Sequence, residues 1–162
     1  MYIVREAEKN DIDAVYALWR ELARDQMGKD YCYEGSLDFN FPGCRKQIED
    51  AVNSENCGLF VSCMDSGEVM GFIEAWIICS EYMVNNPDAG YIVHYYVRES
   101  ARGGAFDSFA MLHRLYKHAE AWLKERGKKL VIADAFYHND RIVSLLKLEK
   151  VYPYRVRMVE RI

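Results

Sequence analysis

The chain has no long apolar run, no Cys-x-x-Cys pair and no tract rich in Gly, Ser or Pro. Each absence closes off a class of protein. The longest apolar stretches are too short to span a bilayer, so no membrane helix and no membrane partner are expected. The first residues lack the basic, apolar and small-residue succession of a secretory leader. Without paired spacing, Cys32, Cys44, Cys57, Cys63 and Cys79 outline neither a zinc site nor a disulfide framework. Their odd number reads as reduced thiols in a cytoplasmic protein, with no metal. Positive charge is also short. Lys and Arg number 21 against 25 Asp and Glu, a net charge of −4, which excludes a broad nucleic-acid footprint. No internal repeat and no low-complexity segment interrupts the chain.

What remains is the composition of a folded protein. At 162 residues and 51% hydrophobic content, the chain suits one domain over 1–162 with a substantial core. Tyr2 to Ala7 reads as a strand, and Asn10 as the N-cap of a helix with Ile12, Val15, Leu18, Trp19, Leu22 and Ala23 on one face. Residues 26–43 read as an irregular loop, and Cys44 to Val52 as a second helix. Leu59 to Met64 and Glu68 to Cys79 flank an Asp65-Ser66-Gly67 turn and predict a β-hairpin. A central strand follows over Tyr91 to Val97, then a long amphipathic pattern from Ser108 to Arg126 that Gly127 stops. Leu130 to Ala135 reads as a strand, Asn139 to Glu149 as a short helix, and Tyr154 to Arg161 as a last strand. This order predicts an α/β sheet of mixed strand directions.

One junction carries chemistry. Between the central strand and the long helix lies Arg98-Glu99-Ser100-Ala101-Arg102-Gly103-Gly104-Ala105-Phe106-Asp107. Strand, arginine-glycine turn and helix start together suit phosphate. Amides at a helix start point outward, glycine lets a ligand approach the backbone, and the helix dipole favours an anion. An ordinary Gly-Gly turn between a strand and a helix explains the same residues, so the neighbours must decide.

The neighbours resemble the GNAT superfamily of acyl-CoA-dependent N-acetyltransferases over essentially the whole chain. Ile3-Val4-Arg5-Glu6-Ala7 with Asp11-Ile12 looks like the family's first strand and helix, and Phe60 to Ile73 like its second and third strands. Val97 with Arg102-Gly103-Gly104 matches the strand end and pyrophosphate loop, and Asn139 with the following helix matches the last helix-and-strand unit. The resemblance implies a mixed α/β (α+β) sheet of six to seven strands with about four helices and splayed central strands. It also implies acetyl-CoA as co-substrate, without a metal. Main-chain groups of Tyr95 and Val97 would hold the pantetheine, Arg102, Gly103, Gly104, Ala105 and Phe106 the pyrophosphate, and Asn139 would lie near the pantetheine. The acceptor implied is an amine on a small molecule or a protein, and pairing of family members through sheet edges implies a homodimer.

Two departures stand out. The family loop reads Arg/Gln-x-x-Gly-x-Gly/Ala; with Arg102 first, the later small positions fall on Ala105 and Asp107. Asp107 or Ser108 would then cap a helix whose start is delayed. The tyrosine that many family members carry seven residues after the asparagine is Leu146 here. Tyr152 and Tyr154, or Tyr137 before the helix, are the substitute acids. A fold kept as a binding or structural module, its loop glycines and acid lost, is the alternative to an enzyme.

For the base, His94 is a candidate because the intrinsic pKa of a histidine side chain lies near neutrality. Strand alternation puts it with Tyr96 and opposite Tyr95 and Val97. Glu74 in the neighbouring strand is an alternative base, and Asp134 another; for both, a structural salt bridge or cap is the default reading. His113 and His118 read as surface or packing residues, and His138 as a solvated turn. The aromatic and acidic stretch Asp30 to Phe41 would suit a cationic amine or pack on the sheet. Trp19, Trp76 and Trp122 read as core.

Overall fold

The structure is a computed structural model that describes residues 2–27, 29, 41–78, 86–101, 108–136 and 139–153. Strand β1 (Tyr2–Glu6) leads through a 3-10 turn (Lys9–Asp11) into α1 (Ile12–Gln26). Helix α2 (Phe41–Val52) precedes strands β2 (Cys57–Met64), β3 (Val69–Trp76) and β4 (Ala89–Val97). Helix α3 (Ser108–Glu125), strand β5 (Leu130–Ala133) and helix α4 (Asp140–Leu148) complete the described elements.

The sheet order is β1-β2-β3-β4-β5. The first four strands run antiparallel, and β5 runs parallel to β4. Strand directions are therefore mixed, as expected. Five strands stand among the described residues against the six to seven anticipated; the strand expected over Tyr154 to Arg161 lies outside them.

Helices α1 and α2 cover one face, where Val15, Leu18 and Ile48 bury against Leu59, Val61 and Phe72. Helices α3 and α4 cover the other, where Met111, Leu115 and Leu145 bury against Phe60, Ile73 and Ile92. Coverage on both faces explains why β2 and β3 are apolar almost throughout instead of alternating. Two glycines let α3 approach. A Cβ on Gly58 would stand 2.7 Å from the Trp122 ring, and one on Gly90 only 2.3 Å from Leu123.

Three local expectations change. Asn10 is not the cap of α1. Asp11 precedes the first residue of α1 without a side-chain bond to that helix; its carboxylate accepts from the Glu8 N–H at 2.8 Å across the 3-10 turn, while Arg5 grips it at 2.6 and 2.9 Å. The short 3-10 turn that this carboxylate closes carries Asn10 inside it and moves the start of α1 to Ile12. Helix α2 starts at Phe41, three residues early, because Pro42 tolerates a first turn where its missing N–H costs nothing. Finally, Trp19 and Trp76 are only half-buried, unlike Trp122, which is 6% exposed in the core.

Candidate active site

The site begins with a break in the β3–β4 ladder. Glu74 faces His94, but Ala75 faces Ile92, so Val93 is an extra residue in β4. Such a bulge reverses the alternation and re-aims side chains. Ile92, before it, sits on the α3–α4 face; Tyr95 and Val97, after it, return to that same face. Tyr96 packs beneath α1, and His94 meets Trp19 of α1 with ring centroids 6.4 Å apart at 74°. The predicted placement of His94 with Tyr96, opposite Tyr95 and Val97, is what the structure has.

The bulge also brings the two alternative bases together. The Glu74 side chain, 5% exposed, places Oε2 2.8 Å from Nδ1 of His94. Its other oxygen, Oε1, accepts from the Trp76 indole N–H at 2.6 Å. A carboxylate only accepts, so an ionised Glu74 puts the His94 proton on Nδ1 and leaves the lone pair on Nε2. Glu74 and His94 are thus one hydrogen-bonded pair instead of competing residues. The His94 side chain keeps 25% of its surface exposed.

Nearby thiols contribute nothing reactive. Burial, with the charges of Glu74 and Glu6, pushes the Cys57 thiol well above its ordinary range. Burial raises the Cys44 thiol, and it is also the main cause that raises that of Cys63. Among the described residues no cluster of His, Cys, Asp and Glu could hold a metal ion.

Beside the pair the β4–β5 ladder ends. The last β4–β5 pairing is Ile92 with Ala133, yet β4 continues through Val97. Across the parting, Tyr95 donates its hydroxyl to the Asp134 carbonyl at 2.6 Å. An apolar cleft on the α3–α4 side is lined by Tyr95, Ile92, Tyr116, Ile142 and Leu146. Burial, reinforced by Glu120 and Glu149, raises the Tyr116 hydroxyl to about 12, so it stays protonated at neutral pH. Asp134 itself is exposed at the end of β5.

The end of β4 is tied down. Arg98 N–H donates to the Met70 carbonyl at 2.8 Å, and its guanidinium reaches Glu21 at 3.2 Å and Glu68 at 2.7 Å. A 3-10 turn (Glu99–Ala101) follows, and α3 is described from Ser108 onward. Arg102, Gly103, Gly104, Ala105 and Phe106, the anticipated pyrophosphate loop, lie outside the described residues, as do Asp107, Tyr137, His138 and Tyr154.

Asn139 caps α4, its Oδ1 accepting from Ile142 N–H at 3.3 Å. Leu146, at the position where a family member carries its tyrosine, is 8% exposed and apolar in function. Tyr152 is 66% exposed beyond the end of α4. His113 bonds Glu149 at 2.6 Å and so joins α3 to α4, while His118 bonds the Arg114 carbonyl at 2.9 Å; both are structural contacts. The sequence reading missed Trp76. Its spacing of two from Glu74 on one strand was the available signal, since i and i+2 share a face.

A mixed sheet whose β4–β5 ladder ends beside a buried Glu–His pair, with helices on both faces, defines an α/β fold. Comparison with known proteins gives that class its family. The model of the acetyltransferase (GNAT) family matches residues 16–149, and the chain belongs to this family. Its fold is shared with the BH1408 protein from Bacillus halodurans, at 16% identity, TM-score 0.77 and 99% coverage of both chains. It is shared too with AAC(6')-Iy, solved with the bisubstrate analogue CoA-S-monomethyl-acetylneamine, at 15% identity and TM-score 0.73, covering 99% of this chain and 98% of that one. A possible acetyltransferase from Clostridium difficile 630 aligns at 14% identity and TM-score 0.68, with coverage of 99% and 97%. No curated protein has a matching sequence. Among the described residues, no helix is long and apolar enough to cross a membrane.

Proposed function

We propose that the protein transfers an acetyl group from acetyl-CoA to a primary amine, on a small molecule or on a protein, by direct attack of the amine. The observation that carries this reading is the His94–Glu74 pair standing where β4 and β5 part, in a chain of the acetyltransferase family. When bound, the thioester supplies an activated acyl carbon. The protein's share is to hold it, to accept the proton that the amine sheds, and to return a proton to the leaving thiolate.

Main-chain groups of Tyr95 and Val97, beyond the last β4–β5 pairing, suit an extended pantetheine arm, and Asn139 at the head of α4 is assigned to the same ligand. Arg102 to Phe106, ahead of α3, supply amides and one cation for the pyrophosphate. His94 takes the amine proton on Nε2, and Glu74 balances the imidazolium that results. Tyr152 or Tyr154 returns the proton to sulfur. AAC(6')-Iy was solved with an analogue containing acetylneamine, which makes a polyamine a sensible first acceptor to try.

Thermal unfolding with acetyl-CoA tests the first half. Ligand at a hundred times its Kd stabilises by about 2.7 kcal/mol. At about 2–4 °C per kcal/mol for a chain of this size, Tm rises by roughly 5–11 °C. Arg102→Glu should weaken binding; unchanged affinity removes Arg102 from the pyrophosphate. No shift at millimolar acetyl-CoA overturns the enzyme and leaves a family fold kept as a binding module. For the second half, His94→Ala should lower turnover of neamine most near neutral pH and least in acid, where an imidazole is already protonated and cannot act as base, and an unaltered pH–rate profile makes His94 a packing residue.

A further inference from the structure

We infer that the Tyr95 side chain is a positioning element whose hydroxyl ties the end of β5 to β4 and leaves the β4 edge beyond Ile92 uncovered. The inference rests on the proposed binding of a pantetheine arm by main-chain groups of that edge. It gives the Tyr95 side chain a role that neither the sequence pattern nor the family match assigns.

Four register pairs join β4 to β5, from Ala89 with Leu130 to Ile92 with Ala133. The next residue of β4 is Val93, the inserted one, and an insertion disrupts a ladder locally. On its other side β4 stays paired with β3 as far as Val97 and Gly71. Strand β4 is therefore held to its end, whereas β5 loses its β4 main-chain partner after Ala133. The bulge also throws the two strands out of register, so β5 cannot simply go on pairing. A strand end without ladder bonds opens readily.

Tyr95 acts at that point. Its hydroxyl donates at 2.6 Å to the carbonyl of Asp134, the first residue past the last pair. The ring is held in turn, packed on the α3–α4 core and lining the cleft with Ile92, Ile142 and Leu146. A held ring and a short bond together define where Asp134 stands. The kind of tie matters as much as its strength. Ladder bonds require strands to lie about 4.8 Å apart. A bond made through a tyrosine side chain has no such requirement, so it fixes β5 without using the main-chain groups of β4.

Without the hydroxyl, β5 past Ala133 samples several positions, of which only some admit a ligand. The apparent Kd then rises by the inverse of the competent fraction. One neutral hydrogen bond, net of its exchange with water, is worth about two- to tenfold in such an equilibrium.

Tyr95→Phe keeps the ring and removes only the donor. In the free protein, amide hydrogen exchange across Val131 to Asp134 should quicken about two- to tenfold while the β1–β2 ladder is unchanged. Calorimetric titration with acetyl-CoA should give a Kd raised by the same factor. Unchanged exchange in the folded variant overturns the tie, and an unchanged Kd overturns the positioning role even where exchange quickens. Absence of acetyl-CoA binding by the wild type would instead refute the proposed function, and exchange would still decide whether Tyr95 holds β5.

Should Tyr95→Phe not fold, a difluorinated tyrosine in place of Tyr95 preserves the shape of the side chain and acidifies its hydroxyl. Raising the pH then ionises that hydroxyl and leaves only an acceptor facing the Asp134 carbonyl. The Kd for acetyl-CoA should climb with the absorbance of the fluorinated phenolate, by at least about twofold beyond any change in the wild type. Parallel Kd profiles for the two proteins overturn the inference.

Discussion

Replacing Gly90 by alanine tests whether the close seat of α3 on β4 is a property of the fold. The new Cβ would lie 2.3 Å from Cδ2 of Leu123, 2.8 Å from Cδ1 and 2.9 Å from Cγ. Rotation about Cβ–Cγ moves the two methyls and leaves Cγ in place, and a change of χ1 would drive a fully buried side chain into the rest of the core. Leu123 is fully buried, and Gly90 is bound into the ladder opposite Val131. Neither side yields alone, which puts the substitution near the upper end of overpacking, about 3 kcal/mol. At about 2–4 °C per kcal/mol, calorimetry should record a Tm lower by about 6–12 °C. The double variant supplies the control. Leu123→Ala alone should cost about 2–5 kcal/mol by opening a cavity. In that background the Gly90→Ala methyl enters the vacated space and should cost close to nothing, a coupling of about 3 kcal/mol. A Tm within about 1 °C of wild type, or an equal cost in both backgrounds, would refute the reasoning.

Two further perturbations address the periphery of the site. Lys150 has φ of 61°, closing α4 with Val151 N–H bonded to the Leu146 carbonyl at 2.8 Å. Glycine suits that left-handed position, so Lys150→Gly should stabilise by about 1 kcal/mol, and an unchanged or lower melting temperature would contradict it. Asp11 is held below its ordinary value of 3.8, chiefly by its hydrogen bonds from Arg5. A depressed carboxyl contributes stability that is complete above its unfolded pKa and is lost as pH falls through the folded one. Urea titrations below about pH 4 should therefore show a falling stability that Asp11→Asn flattens, and parallel curves for the two proteins would exclude the pair as the cause.

The fold was legible where local pattern and burial agree. The stripe Ile12, Val15, Leu18, Leu22 and Ala23 is buried as a helical face requires. Strands β2 to β5 fall within a few residues of their expected bounds, because β-branched and aromatic runs between turn residues leave few alternatives. Asn10 misled because it lies inside a short 3-10 turn that Asp11 closes, and Arg5 reaches Asp11 from another element. Trp19 and Trp76 misled for the converse reason. An indole on an apolar pattern looks like core, yet these two border a polar pair and keep part of their surface outside. Glu74 and His94 were each visible as candidates, but their contact was not. It depends on one extra residue, Val93, whose place in the ladder no hydrophobic period reveals.

That single bulge ties the two halves of the site to each other. Without it, Ile92, His94 and Tyr96 would share a face, and Tyr95 and Val97 would follow Val93 on the other. His94 could then reach Glu74 only at the expense of Ile92's place in the α3–α4 core. With it, the base lies under α1 while Tyr95 turns toward the parting and spans to Asp134. Removing Val93 should therefore separate catalysis from folding in a diagnostic way. A regular β4 leaves either Ile92 or the His94–Glu74 pair misplaced, so deletion should lose turnover together with core stability. A folded, active deletion variant would mean that the pair does not depend on the bulge. The site would then have to be rebuilt from the Arg102 loop alone.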